Sequence, residues 1–260
     1  EILTPPAEET MEKHVTVKQS IRELIRTAPD QISRLLVARE ARGSDIADIV
    51  RLAKAHRVSF HVVPRAKILA RCNKGYSGVL AVVTRIEYFT LDEALERLGG
   101  LPAVTVLVLD EIADPQNFGA ILRTAAAFAV NAVVIQQWNQ CPVTGTVVDV
   151  SRGAAKIVPI VREKNIFNAV KRLKDEGYWV FGTMPDTADR SRTVGMERLA
   201  ENRVVIVVGN EHKGIRRNVA DVCDGIIVIP QAERVQSLNV SVAAGVVLYE
   251  RFKSLVARRR

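Results

Sequence analysis

The chain has 260 residues, 48% hydrophobic and 25% charged, an ordinary globular balance that can bury one large core or two modest ones and excludes wholesale disorder. Its net charge of +8 is uneven, with 14 Lys+Arg against 5 Asp+Glu over residues 13–74; such a basic stretch suits a polyanion such as nucleic acid, a solubilising surface being the plainer alternative. No run of about 18 apolar residues suggests a membrane span, Cys72, Cys141 and Cys223 form no CxxC pair and suit a reducing compartment without disulfides or zinc, and 5% aromatics argue against a base-stacking platform for single strands.

The first dozen residues, with Pro5-Pro6 and Glu8-Glu9, read as a loose tail. Residues 13–27 read as an amphipathic helix with Val17, Ile21, Leu24 and Ile25 on one face. Strands are expected at Ile32 to Ala38, Ser59 to Val63 and Val79 to Thr84, with a helix capped by Ser44 between the first two. Residues 13–85 therefore form a small basic α/β domain. Thr90 to Leu98 reads as helical, Gly99-Gly100-Leu101-Pro102 as a break, and 86–102 as a linker.

Over residues 103–260 the alternation resumes. Val104 to Leu109 and Val204 to Val208 are apolar strands of the kind covered on both faces. Further strands are expected at Ala132 to Ile135, Ile157 to Val161, Tyr178 to Phe181 and Ile226 to Ile229, with helices at Asn117 to Phe128, Ile166 to Leu173 and Leu238 to Leu255. Such alternation predicts a parallel sheet flanked by helices, with ligands beyond the carboxyl ends of its strands.

Three strand-exit loops carry the chemistry. In the first, Asn117 stands where it could cap the helix, and Arg123 could grip a phosphate; a plain cap and a surface arginine are the simpler readings. In the second, Gly209-Asn210-Glu211-His212-Lys213-Gly214, the glycines permit close backbone approach and Glu211 could accept hydrogen bonds; His212 has no obvious partner and reads as surface or RNA-proximal. In the third, Pro230 to Asn239, either Ser237 or Asn239 could cap the last helix.

Taken in order, Asn-Phe-Gly-Ala-Ile-Leu-Arg-Thr-Ala, Gly-Asn-Glu-His-Lys-Gly-Ile and Ile-Pro to Ser-Leu-Asn-Val-Ser-Val-Ala resemble the three motifs of SpoU/TrmH-type RNA ribose methyltransferases of the SPOUT superfamily, nearest the 23S rRNA guanosine-2′-O-methyltransferase group. The resemblance extends to the basic segment, which looks like that family's ribosomal-protein L30e-like RNA-binding domain. It implies a deep trefoil knot in the C-terminal domain, a homodimer with its active site at the subunit interface, and a cytoplasmic enzyme. The implied reaction moves a methyl group from S-adenosylmethionine to a ribose 2′-hydroxyl of RNA without a metal. The implied donor site holds Thr183, Met184, Gly209, Glu211, Gly214, Ile229, Pro230, Ser237, Leu238 and Asn239, and the catalytic set is Asn117, Arg123, Glu211, Ser237 and Asn239.

Arg123 matches the residue often assigned as activating. A guanidinium does not readily lose a proton, so the reading preferred is that it holds a phosphate and stabilises alkoxide, while a phosphate oxygen or Glu211 takes the proton; Asn117 would position the ribose or Glu211. The sequence departs from the family at Asn73-Lys74-Gly75, where His-Gln-Gly is common, at Glu233-Arg234 in the third loop, and at Ala129, where glycine is frequent. The rival readings are a tRNA substrate and an inactive donor- or RNA-binding homologue. A nicotinamide dehydrogenase is disfavoured because no GxGxxG follows the first strand of either region.

Overall fold

The computed structural model describes residues 13–56, 58–72, 76–83, 86–185, 190–211, 213–232 and 237–258. The tail at 1–12, Thr84, Asn73-Lys74-Gly75, His212 and Glu233-Arg234 lie outside them. The described residues fall into two compact units, one running to Ile86 and including Pro142–Asp149, the other comprising Glu87–Cys141 and Val150 onward.

The first unit contains β1 (Lys13–Val15), α1 (Lys18–Thr27), β2 (Ile32–Ala38), α2 (Ser44–Ala55), β3 (Phe60–Val63), α3 (Arg65–Leu69) and β4 (Val79–Val83). Its sheet order is β1-β4-β2-β3, antiparallel except for the β2–β3 pair. Side chains alternate across a strand, so Leu35, Val37, Val79 and Ala81 pack with Ile21, Ile25 and Ile49 of α1 and α2. Leu36, Ala38, Leu80 and Val82 cover the opposite face with Val63 and Ile68.

Two local expectations need correction here. Residues 13–15 are an edge strand, not the start of a helix, because they find a partner in β4, a long-range pairing that overrides the helical periodicity. Ser44 is the first residue of α2 rather than its cap; Gly43 holds the cap position without a side-chain hydrogen bond. The segment Pro142–Asp149 belongs to this unit, with Asp149 paired to Arg34, although it is remote in sequence.

The second unit begins with β5 (Tyr88–Phe89) and α4 (Leu91–Leu98). Both lie in the stretch expected as a linker. β5 pairs with a later strand at the sheet edge, and α4 is fixed by a capping box in which Thr90 and Glu93 satisfy each other's backbone amides. There follow β6 (Val104–Asp110), α5 (Pro115–Ala127), β7 (Ala132–Gln136), β8 (Ile160–Glu163), α7 (Ile166–Asp175), β9 (Trp179–Met184), β10 (Thr193–Val194), β11 (Arg203–Gly209), α8 (Arg217–Val222), β12 (Gly225–Val228) and α9 (Val240–Ala257), while α6 (Gly145–Val150), between β7 and β8 in the chain, falls all but its last residue in the first unit. The short elements α3, α6, α8, β5 and β10 have no counterpart in the sequence reading; runs of two to six residues carry too little periodicity to register.

The sheet order is β10-β12-β9-β11-β6-β7-β8-β5, with every pairing parallel. Every residue of β6 is buried, as expected for a central strand covered on both faces. Val104, Val106 and Val108 share a core with α4, α7 and α8. Across the sheet, α9 crosses α5 and buries Ala244, Val247 and Leu248.

An arginine lies in that layer. Arg251 of α9 is 1% exposed. Its guanidinium donates to Thr105 Oγ1 at 3.0 Å, Val104 O at 3.0 Å, Asn202 O at 3.1 Å, Leu199 O at 2.5 Å and Glu201 O. Burial, with a smaller contribution from Arg258, lowers its pKa to about 10, so it remains a cation at neutral pH.

The end of α5 explains the departure at Ala129. Val130 N donates to Ala125 O at 2.9 Å and Ala129 N to Ala126 O at 3.3 Å, the two bonds of a Schellman termination. That motif needs a left-handed residue, and Ala129 has φ 52°, a conformation in which a Cβ costs about 1–2 kcal/mol. Ala129→Gly is expected to stabilise the protein by about 0.5–1 kcal/mol after the extra unfolded-state freedom of glycine is subtracted. Thermal denaturation checks this, and an unchanged or lower Tm would show that the conformation carries no strain.

Candidate active site

The carboxyl ends of β9, β11 and β12 open onto a cavity of about 400 Å³. Its apolar wall includes Met184, Ile215, Ile229 and Leu238, and its polar lining includes Thr183, Glu211, Gln231 and Ser237. Gly209 and Gly214 also line it, whereas Pro230, Asn117, Arg123 and Asn239 do not. Thr183 Oγ1 donates to Val207 O at 3.1 Å, which ties β9 to β11 where both enter the cavity.

The loop after β11 closes on itself. Asn210 N donates to Gly214 O at 3.0 Å and Gly214 N to Asn210 O at 2.9 Å. A Cβ on Gly209 would lie 2.2 Å from the carbonyl carbon of Gly214, and Gly214 adopts φ +66°. Both positions therefore require glycine for the turn itself. The loop is also held from beneath. Asp110, the fully buried last residue of β6, accepts from Arg216 N at 2.9 Å and Arg216 Nε at 2.8 Å; a terminal nitrogen of Arg216 donates to Gln136 Oε1 at 2.6 Å. This strut joins β6, β7 and the loop, and nothing in the sequence reading singled it out. The available signal was Asp110 itself, because a carboxylate at the end of a nearly all-apolar strand calls for a cation.

Asn117 is not the cap of α5. Asp114 takes that place, its carboxylate accepting from Gln116 N and Asn117 N. Pro115 supplies the preset first helical φ. Asn117 is thereby released to bridge the other two loops. Its Nδ2 donates to Glu211 Oε1 at 2.7 Å, and its Oδ1 accepts from Asn239 Nδ2 at 3.0 Å. Of the two candidate caps on α9, Asn239 is the one used: its Oδ1 accepts from Ser241 N at 2.9 Å and Ser241 Oγ at 2.6 Å.

The direction of this chain is determined. A backbone N–H can only donate, so Asn239 Oδ1 faces Ser241; Asn239 Nδ2 must then face Asn117 Oδ1, and Asn117 Nδ2 must face Glu211. Glu211 is left as a pure acceptor with Oε2 outside this chain of bonds.

Arg123 stands on the exposed side of α5, with no hydrogen bond or ion pair to any described residue. Cys141 and Cys223 are poor nucleophiles, because burial pushes both thiols up to about 12. No group of His, Cys, Asp or Glu among the described residues is arranged to hold a metal ion, and no helix there is long and apolar enough to cross a membrane.

Residues 104–249 match the SpoU rRNA methylase family. The chain belongs to that family. Residues 18–89 match a second family, described as RNA 2′-O ribose methyltransferase substrate binding. A Staphylococcus aureus protein assigned to the TrmH family of tRNA/rRNA methyltransferases is 36% identical over 94% of this chain and 97% of its own length. Solved SpoU-type folds agree. AviRb from Streptomyces viridochromogenes, in complex with AdoMet, gives a TM-score of 0.58 at 20% identity, covering 95% of this chain and 91% of that one. An AdoMet-bound rRNA methyltransferase from Sinorhizobium meliloti gives 0.60 at 21% identity, covering 93% and 87%. Within the SpoU rRNA methylase family this chain is an RNA methyltransferase, and the three motif loops of the sequence are the ones gathered around the cavity and its Asn117 bridge.

Proposed function

We propose that the chain transfers the methyl group of S-adenosylmethionine to a ribose 2′-hydroxyl of large-subunit rRNA. The observation that carries this reading is the hydrogen-bonded chain Asn239–Asn117–Glu211, which joins all three loops and aims one carboxylate at the cavity.

The cavity suits the donor. Its volume is in the range of small-ligand sites, and it pairs an apolar wall with a nearly equal share of polar lining. Gln231 Oε1 lines it, buried, with no hydrogen-bond partner among the described residues, and an unmet buried acceptor calls for a donor such as a ligand amine or hydroxyl. Met184, Ile215, Ile229 and Leu238 would enclose the adenine, with Thr183, Gln231 and Ser237 as polar contacts. When bound, S-adenosylmethionine supplies a methyl carbon made electrophilic by its sulfonium.

The protein's share of the reaction is alignment and proton removal. Asn117 holds Oε1 of Glu211, so Oε2 is the oxygen presented to the 2′-hydroxyl proton. Arg123 grips an RNA phosphate beside the target nucleotide. Arg123→Lys is expected to lower kcat/KM for RNA about tenfold or more, because a point charge replaces a planar fork. Steady-state kinetics with labelled donor check this, and near-normal turnover with unchanged RNA affinity would remove the clamp.

The basic 13–85 region is assigned to RNA binding with an L30e-like fold, and 103–260 to the knotted catalytic domain, with the knot in the third loop and α9. The enzyme is assigned as a cytoplasmic homodimer. Val242, Tyr249 and Val256 support the dimer: they recur every seven residues on α9, each exposed, a stripe suited to a second helix.

Mass spectrometry of rRNA and tRNA from cells with and without the gene tests the reading. Loss of one 2′-O-methyl nucleotide from large-subunit rRNA is the expected result. Loss from tRNA would move the substrate, and loss of a base methylation would overturn the ribose assignment.

A further inference from the structure

We propose that Trp138 is a stacking platform for one nucleobase of the RNA, a neighbour of the nucleotide being methylated. This rests on the RNA-methylation reading above and adds a residue that grips the substrate beside the donor cavity.

Location is the first argument. β7 is two strands from β11 in the order β11-β6-β7. The register pairs Gly209 with Asp110 and Leu109 with Ile135, so Gln136 ends β7 level with the start of the donor loop. Strands are ~4.8 Å apart. Gln136 therefore lies about 10 Å to the side of Gly209, and Trp138 follows two residues beyond it, past the carboxyl end of β7.

Rigidity is the second argument. Gln136 is held by Arg216, the residue that also anchors the donor loop. Gln137 N donates to Glu163 O at 2.8 Å. Gln140 Oε1 accepts from Ile112 N at 2.8 Å, and Cys141 N donates to Ile112 O at 2.9 Å. Asn139 turns the chain with φ 58°. The loop is thus fastened on both sides of Trp138 and joined to the loop that leads into Asp114 and Asn117.

Chemistry is the third argument. Trp138 is 55% exposed, and Asn139 after it is exposed too, as are Lys164 and Asn165, which follow Glu163, the residue that receives the Gln137 N–H. A single flat ring among polar and cationic groups does not make a hydrophobic docking patch. It fits a flat partner whose edges stay wet and whose linkage is anionic, which describes a base on a phosphate backbone. An aromatic content of 5% excludes an array of stacked rings but not one ring placed at the site.

The chain holds two tryptophans, so Trp179→Phe leaves Trp138 as the sole indole emitter. Titration of that variant with large-subunit rRNA is expected to quench its fluorescence. Trp138→Ala should raise KM for this rRNA about tenfold or more, with kcat and S-adenosylmethionine affinity changed less than about threefold, and Trp138→Phe should restore most of the loss. Unchanged RNA affinity in Trp138→Ala, or emission that saturating rRNA leaves unaltered, would overturn the proposal. So would an altered sedimentation coefficient in Trp138→Ala, which would place the ring between copies of the chain. If the parent protein labels no RNA while rRNA still quenches Trp138, the methylation reading fails and the stack stands. If the parent labels rRNA and Trp138→Ala matches it, only the stack fails.

Discussion

Glu211→Gln is expected to lower kcat for methyl transfer about 10²–10⁴-fold, the span of a positioned general base, with S-adenosylmethionine affinity within a few-fold of the parent. The substitution is nearly isosteric and keeps an oxygen for Asn117 Nδ2, now 2.7 Å from Glu211 Oε1, so the loop geometry survives while the proton acceptor is lost. Asn117→Ala should cost less, about tenfold, because the carboxylate remains but its aim is released. Residues acting as one unit are not additive; the double variant should be no slower than Glu211→Gln alone. Single-turnover kinetics with labelled donor, beside calorimetric donor binding, separate chemistry from affinity. A Glu211→Gln enzyme with normal kcat would move the proton to another acceptor, a phosphate oxygen at Arg123 being the next candidate.

What could be read from the sequence follows the range of the interactions involved. The apolar runs at 104–109 and 204–208 announced central parallel strands because burial on both faces leaves no polar alternation. Asn239 could be read as a candidate cap because capping is local. Asn117 misled for the same reason: Asp114, three residues earlier, caps equally well in principle, and only the structure shows which is used. Its bond to Glu211 spans 94 positions and its bond to Asn239 spans 122, distances at which no periodicity or spacing carries information; there the family motifs, read in order, stood in for geometry. The Asp110–Arg216–Gln136 strut lay outside those motifs and was missed. The edge strand at 13–15 and the strand at 88–89 were missed because each depends on a partner elsewhere in the chain.

Arg251 is the extreme case of that limit, since an arginine inside a long helix reads as a surface residue. Arg251→Met is expected to destabilise the protein by about 3–5 kcal/mol, because several acceptors lose their donor at about 1–3 kcal/mol each. Replacing a buried ion pair with apolar groups can be neutral when both partners are replaced. Here most of the partners are the backbone carbonyls of Val104, Leu199, Glu201 and Asn202, which no substitution removes. Asn202 O retains Val104 N at 2.8 Å, but the acceptors at Leu199 and Glu201 lose the guanidinium, and an unmet buried acceptor costs about 1–3 kcal/mol. For a chain of this size the Tm should fall by roughly 10 °C. Arg251→Lys should recover only part, because three donors on one nitrogen cannot reach acceptors spread around a planar fork. A loss below about 1 kcal/mol in chemical denaturation would show that water satisfies these carbonyls. The effect should reach the site as well. Arg251 fastens α9 to β6 and to the 199–202 segment, and the other end of α9 carries Asn239, whose Nδ2 sets the orientation of Asn117 and hence of Glu211. At a temperature where Arg251→Met is still folded, its kcat should fall while donor affinity changes less, because the anchor orients the carboxylate without lining the cavity.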